Sequence, residues 1–192
     1  MPGKYFHGTS SGATLCKSLS DLSGFRGFDL SKRKPYLLLG LGIVVVDQAT
    51  KLIALQTLGL EGREITVIPN VLWLYVIKNT GAAFGMFQSL GWLLAAISVM
   101  LIYAGWKILH HEEDPALLIA LASVLGGAAG NLVDRVFRGG VIDFLKVPNW
   151  PLFNIADCAI TLGAIGILYY GMTRRRDGPA PLESVQNAPD SD

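Results

Sequence analysis

Apolar residues in this chain run together over long stretches. Four stretches, roughly 36–58, 88–109, 115–134 and 154–173, are nearly unbroken in Leu, Ile, Val, Ala, Gly and aromatic residues. Each is about 20 residues long, the length an α-helix needs to cross a hydrocarbon core about 30 Å thick. Helices packed inside a soluble domain are usually shorter and keep a polar face. Between the spans the pattern changes. Ile65-Thr-Val-Ile and Val71–Ile77 are β-prone runs divided by Pro69-Asn70, a turn signal. A third run, Val141–Val147, follows Gly139-Gly140 and is broken by Pro148-Asn149-Trp150-Pro151. The pattern predicts an all-α membrane protein of four transmembrane helices, with a small β element on its outer surface. Trp73, Tyr75 and Trp150 suit the headgroup layer there.

Composition supports this reading. Of 192 residues, 51% are apolar and 16% charged, and the mean hydropathy is +0.43. A soluble domain carries nearer a quarter charged residues. The net charge of +1 comes without a Lys/Arg stripe interleaved with aromatics, so no nucleic-acid partner is expected. Basic clusters set the direction. Lys32-Arg33-Lys34 precedes the first span and Arg174-Arg175-Arg176 follows the last, which predicts both termini in the cytoplasm. His110-His111-Glu112-Glu113-Asp114 is then a cytoplasmic turn, and segments 59–87 and 135–153 face outward. Those segments carry Arg63, Lys78, Arg138 and Lys146, so the clustered ends decide the orientation. Residues 1–34, Ser- and Gly-rich without an apolar h-region, read as a polar N-terminal extension and not as a signal peptide. Residues 35–173 form the four-span domain, and 174–192 a polar cytoplasmic tail expected to be disordered. Cys16 and Cys158 fall on opposite sides of the membrane, so no disulfide is expected between them.

Ionisable residues inside a span are costly and mark function by default. They are Asp47 and Lys51 in the first span, Asp134 and Arg135 ending the third, and Asp157 opening the fourth. Asn131 and Asn154 accompany them, and Asn79 and Asp143 lie in the outer segments. With the predicted direction all of these gather near the outer interface, while the inner halves of the spans are dry. Asp47 and Lys51 are i,i+4, as are Asn131 and Arg135; Asn154 and Asp157 are i,i+3. Each pair shares a helix face, and lipid cannot satisfy such faces, so they should turn toward one another. Gly126 and Gly130 form a small-x-x-x-small pair that permits close helix approach. Plainer readings exist for several of these. Asp47 and Lys51 can be a local ion pair that locks helices. Asp134 can simply neutralise a basic neighbour, and Arg135 can snorkel to the interface.

The residue types narrow the chemistry. No His lies in a span to activate Cys158, and Ser98 and Ser123 lack a base. His110-His111-Glu112-Glu113 is not a zinc motif, and neither a metal nor a cofactor is expected. Two aspartates remain. Carboxyls a few Å apart share one proton. The ionised member then takes a proton from water while the other hydrogen-bonds the scissile carbonyl. The pair titrates as a unit, so base and acid are not assigned between Asp143 and Asp157.

The strings around these residues resemble the lipoprotein signal peptidases, or signal peptidase II. They are Asp47-x-x-x-Lys51, Asn79-Thr-Gly81-Ala-Ala83-Phe84, Gly130-Asn131-Leu-Val-Asp134-Arg135, Val141-Ile-Asp143-Phe144 and Phe153-Asn154-Ile-Ala156-Asp157. Their order and spacing match across about 36–173. The resemblance implies catalytic aspartates at Asp143 and Asp157, and supporting or substrate-binding roles for Asp47, Lys51, Asn79, Gly81, Asn131, Arg135 and Asn154. It implies four spans, a periplasmic β element and residence in the bacterial inner membrane. The implied substrate is a prolipoprotein whose cysteine already carries diacylglycerol, cut just before that cysteine. Membrane lipids and globomycin-type inhibitors are the other implied partners. The chain departs from the family's pattern in its first 34 residues and at Cys158, where Ser is more usual.

Two other classes compete. An ion-coupled transporter needs polar groups through the full depth of the membrane, and here the inner half lacks them. A scaffold associating through Gly126 and Gly130 explains the glycines but not the two aspartates.

Overall fold

The computed structural model describes residues 30–81 and 91–174. Expectations for the N-terminal extension, the C-terminal tail and the Ala82-Ala83-Phe84 end of the second string lie outside these residues, save a few at their margins. The chain divides between Lys34 and Pro35, and the site lies on the Pro35 side.

Four helices are long and apolar enough to cross a membrane: α1 (Leu30–Leu58), α2 (Gly91–His111), α3 (Pro115–Arg138) and α4 (Ile155–Arg174). The first begins six residues before the expected start at residue 36 and runs through Pro35. A proline near a helix start removes one hydrogen bond without ending the helix. The third begins at Pro115, where the missing N–H costs nothing, and Asp114 caps it by accepting from the Ala116 amide at 2.9 Å. It runs past the expected residue 134 to Arg138 and stops at Gly139, whose φ of 68° is the left-handed cap conformation.

The helices are apolar outside and polar inside, the reverse of a soluble bundle. Leu41, Val45 and Ile53 of α1, Met100 and Tyr103 of α2, and Leu162 and Leu168 of α4 are all exposed, while Asp47, Lys51, Asp134 and Asn154 are fully buried. That inversion is what lipid as solvent demands. The chain is a multi-pass membrane protein. Half of the hydrophobic window of α3 is buried, against 17% for the other helices, so α3 is the central helix. Its small residues allow this. A Cβ on Gly126 would stand 2.7 Å from the Gly40 carbonyl oxygen of α1, and one on Gly127 would stand 2.4 Å from the Ala156 carbonyl oxygen of α4. Backbones in contact on both sides leave no room for a side chain.

The β-prone runs form one antiparallel sheet in the order β1-β2-β3, with β1 at Ile65–Ile68, β2 at Leu72–Asn79 and β3 at Val141–Lys146. Asn70, at φ 62°, makes the β1–β2 turn. Val76 of β2 with Ile142 and Phe144 of β3 packs on Ala54 and Leu58, which pins the sheet to the end of α1. After β3 the chain turns at Asn149 (φ 56°) and comes back as a single bridge. Phe153 donates to the Leu145 carbonyl at 3.1 Å and accepts from the Leu145 amide at 2.9 Å. This return delivers Asn154 and the start of α4 alongside Asp143.

Candidate active site

Two groups of aspartates meet at Asn131 on the buried side of α3. The first is ion-paired. Lys51 of α1 donates to Asp47 at 2.8 Å and lies 2.8 Å from Asp134 of α3, with all three side chains fully buried. Asp47 Oδ1 also accepts from the Ala156 amide of α4 at 2.9 Å. Arg138 pairs with Asp134 Oδ1, and Asp134 Oδ2 accepts from the Ile142 amide of β3 at 3.1 Å. These four charges therefore tie α1, α3, β3 and α4 together. Gly130 makes the approach possible, because a Cβ there would come 2.7 Å from Asp47 Oδ2.

The second group is held by amides. Asp143 Oδ2 accepts from Asn79 Nδ2 of β2 at 2.9 Å, and its Oδ1 accepts from Asn154 Nδ2 at 2.7 Å. Asp157 Oδ1 accepts from Asn131 Nδ2 at 2.8 Å, and its Oδ2 from the Asn154 backbone amide at 3.1 Å. Asn154 Oδ1 in turn accepts from the Asp157 amide at 3.0 Å, the reciprocal pattern of a capping box. Asn154, expected as the first residue of the fourth span, instead precedes α4 and caps it. One asparagine thus holds both carboxylates. Among the described residues no Lys or Arg forms an ion pair with Asp143 or Asp157.

Burial pushes the Asp143 carboxyl up to about 6, and the neighbouring charge of Asp157 adds to this. The amides of Asn79 and Asn154 and the charge of Lys51 pull the other way without cancelling it. Asp143 is 2% exposed, whereas Asp157 is only partly buried. The site is therefore open on the Asp157 side.

The remaining expected residues divide. Asn131 lies at the junction: its Oδ1 accepts from Lys51 at 3.1 Å and from Asn154 at 3.2 Å, while its Nδ2 holds Asp157. Gly81 donates its amide to Asn79 Oδ1 at 3.0 Å with φ at 93°, a backbone that favours glycine, and so orients the Asn79 amide toward Asp143. Arg135 lies one turn beyond Asn131 on α3. It donates to Ser98 of α2 at 3.3 Å and stays within electrostatic range of Asp157, Asp143 and Asp134. Sequence reasoning passed over Gln48 and Arg138 as site residues. The i,i+4 spacing of Asp134 and Arg138 was visible; the tie from Gln48 to both is tertiary. Among the described residues no group of three or more His, Cys, Asp or Glu side chains is placed to hold a metal ion.

Comparison with known proteins gives a consistent answer. Residues 39–173 match the family model described as signal peptidase (SPase) II. The lipoprotein signal peptidase of Halalkalibacterium halodurans is 37% identical over 145 residues, covering 72% of this chain and 92% of that protein. The lipoprotein signal peptidase of Shouchella clausii is 38% identical over 141 residues, covering 70% and 93%. A bacterial membrane enzyme solved by the in meso method superposes with a TM-score of 0.70 at 27% identity, over 76% of this chain and 92% of that one.

Proposed function

The chain belongs to the signal peptidase II family, and from that premise we propose that Asp143 and Asp157 are its catalytic pair. It is an aspartic peptidase that removes signal peptides from prolipoproteins. One observation carries the assignment: both carboxylates are held only by amide donors, share Asn154, and have no cation of their own among the described residues. Such a pair can hold one proton between its members and pass it on.

The chemistry follows from that arrangement. A water held by the pair loses a proton to the ionised carboxylate as its oxygen attacks the scissile carbonyl carbon. The protonated carboxyl hydrogen-bonds the carbonyl oxygen and stabilises the tetrahedral intermediate. The proton taken from water then passes to the leaving amine, and the C–N bond breaks. Asn79, Asn131 and Asn154 fix the two carboxyls, which lets the pair act without reorganising. Arg135, half-buried and facing the pair electrostatically, is assigned to substrate binding.

The substrate is taken to be a prolipoprotein whose cysteine already bears diacylglycerol, cut just before that cysteine. The family supports residence in the bacterial inner membrane, and the basic clusters before the first span and after the last support both termini being cytoplasmic. The site then faces the outer leaflet, where the lipid of the substrate lies. Globomycin-type cyclic lipopeptides are expected to inhibit.

The test uses purified protein in detergent with a diacylglyceryl-modified prolipoprotein, followed by gel shift. Wild type should cleave in the presence of EDTA, and Asp143→Asn and Asp157→Asn should not. Cleavage by all three would keep a peptidase and remove the pair. Loss of cleavage on chelation would overturn the metal-free mechanism.

A further inference from the structure

We propose that Arg138 and Gln48 are positioning residues for the aspartate pair, acting through Asp134 on the backbone of β3. The proposal rests on the aspartyl reading above and extends it to Gln48, an unspecified position of the first string, and to Arg138, outside all five.

The path is short and continuous. Asp134 Oδ2 accepts from the Ile142 amide at 3.1 Å, and Ile142 is the residue before Asp143. The Val141–Ile142 peptide, one step ahead of Asp143 in the chain, is therefore fixed by Asp134 as well as by the pairing of β3 with β2, where Ile142 faces Lys78 and Asp143 faces Ile77. Asp134 Oδ1 is held in turn by Arg138 and by Gln48 Nε2 at 3.2 Å. Gln48 also donates to Asp47 Oδ2 at 3.1 Å and to the Gly130 carbonyl at 3.1 Å. Its Oε1 accepts from Arg138 at 2.7 Å. A guanidinium only donates, so Arg138 must face the oxygen of the Gln48 amide. That contact turns the nitrogen toward Asp47, Gly130 and Asp134. The acceptors on Asp47, Gly130 and Asp134 favour the same orientation, and Arg138 reinforces it from the opposite side of the amide.

Arg138 also balances charge. Asp47 and Asp134 carry two negative charges, and buried Lys51 supplies one positive charge between them. Arg138, 25% exposed, supplies the second. The charged side chains around the pair are then Asp47 and Lys51 from α1 and Asp134, Arg135 and Arg138 from α3. Beside them β2 contributes the amide of Asn79 and α4 the thiol of Cys158. Removing Arg138 leaves one uncompensated negative charge behind Asp143 and Asp157. Asp143 would then hold its proton more tightly, so the pH limits of activity should move upward.

The experiment compares Arg138→Met, Arg138→Lys and Gln48→Met with wild type in the cleavage assay, using detergent-purified full chain normalised for folded protein. Arg138→Met should lower kcat on the order of 10–100-fold, the cost of a small misplacement of a reacting group, with KM within about twofold. Its pH profile should shift to higher pH, and Arg138→Lys should return the profile toward wild type. Gln48→Met should lower kcat with the profile in place, because no charge changes. A folded Arg138→Met with wild-type kcat and pH profile would overturn the proposal. If Arg138→Met does not fold, unchanged kcat in both Arg138→Lys and Gln48→Met would overturn it instead. Cleavage persisting in an Asp143→Asn control would refute the aspartyl reading itself.

Discussion

The ion-paired cluster and the amide-held pair use the same residue type to opposite ends. Asp47 and Asp134 are fully buried and each touches Lys51. Asp143 and Asp157 stand one asparagine away and touch amides instead. A carboxylate locked against a cation stays charged and holds elements in place. A carboxylate held by neutral donors keeps its place yet can gain or lose a proton. The partner, more than the aspartate, decides which side chain can do acid–base work. Asn131 joins the two groups, accepting from Lys51 and donating to Asp157. The scaffold thus positions the pair without forming an ion pair with either carboxylate among the described residues.

Mutations can break this contrast. The largest effect is expected at the pair. Asp157→Asn should reduce turnover at least about 10²–10⁴-fold, the worth of one acid–base role, while retention of the uncleaved diacylglyceryl substrate stays near wild type. A variant that lost binding and cleavage together would place Asp157 in the scaffold. The converse holds at the cluster. Lys51→Met leaves buried Asp47 without a cation and Asp134 with Arg138 alone, and should destabilise the fold by about 3–5 kcal/mol, read from unfolding in detergent. A Lys51→Met protein as stable as wild type would remove the cluster's scaffold role.

Acidity sharpens the comparison. Asp143 is held near 6 against an ordinary 3.8. Below pH 3.8 the folded and unfolded chains are both protonated there, and Asp143 does not make stability depend on pH. As pH rises from 3.8 to 6 the unfolded chain ionises first, so the folded state loses stability across that window. The difference caps the loss at about 3 kcal/mol. Asp143→Asn should lack this component, so its stability relative to wild type should rise between pH 4 and pH 7. A difference flat with pH would contradict the raised carboxyl. A smaller effect is expected at Arg135→Ala, which should raise KM at near-constant kcat, by on the order of 1–2 kcal/mol of binding. A drop in kcat alone would move Arg135 into the chemistry. The smallest is at the sheet surface, where Lys146 pairs with Glu64 at 2.5 Å with both side chains about 40% exposed. Lys146→Ala should cost no more than about 1 kcal/mol.

Much of this was legible in the chain because lipid makes polar residues conspicuous. Four apolar spans, three β-prone runs and the gathering of Asp47, Lys51, Asn131, Asn154 and Asp157 followed from hydropathy and helical spacing alone. Less could be read where tertiary backbone contacts decide. The bonds from the Ala156 amide to Asp47 and from the Ile142 amide to Asp134 have no side-chain signature. The Phe153 bridge, which carries Asn154 to Asp143, follows a Pro-Asn-Trp-Pro break that reads only as a turn. Gln48 was missed because a glutamine in an apolar run signals little until its partners on α3 are known. The contact of Arg135 with Ser98 was not legible, because spacing gives the face of a helix and not the neighbour that meets each side chain.

The central claim is that this pair activates water and forms no covalent bond to the peptide. A single turnover in heavy-oxygen water, with enzyme in excess over diacylglyceryl prolipoprotein, tests it most directly. Mass spectrometry would follow the new carboxylate of the released signal peptide and the side chains of Asp143 and Asp157. The account predicts heavy oxygen in the peptide carboxylate after the first turnover and none in either aspartate. Label in an aspartate, with the first peptide product unlabelled, would show an acyl intermediate and contradict it.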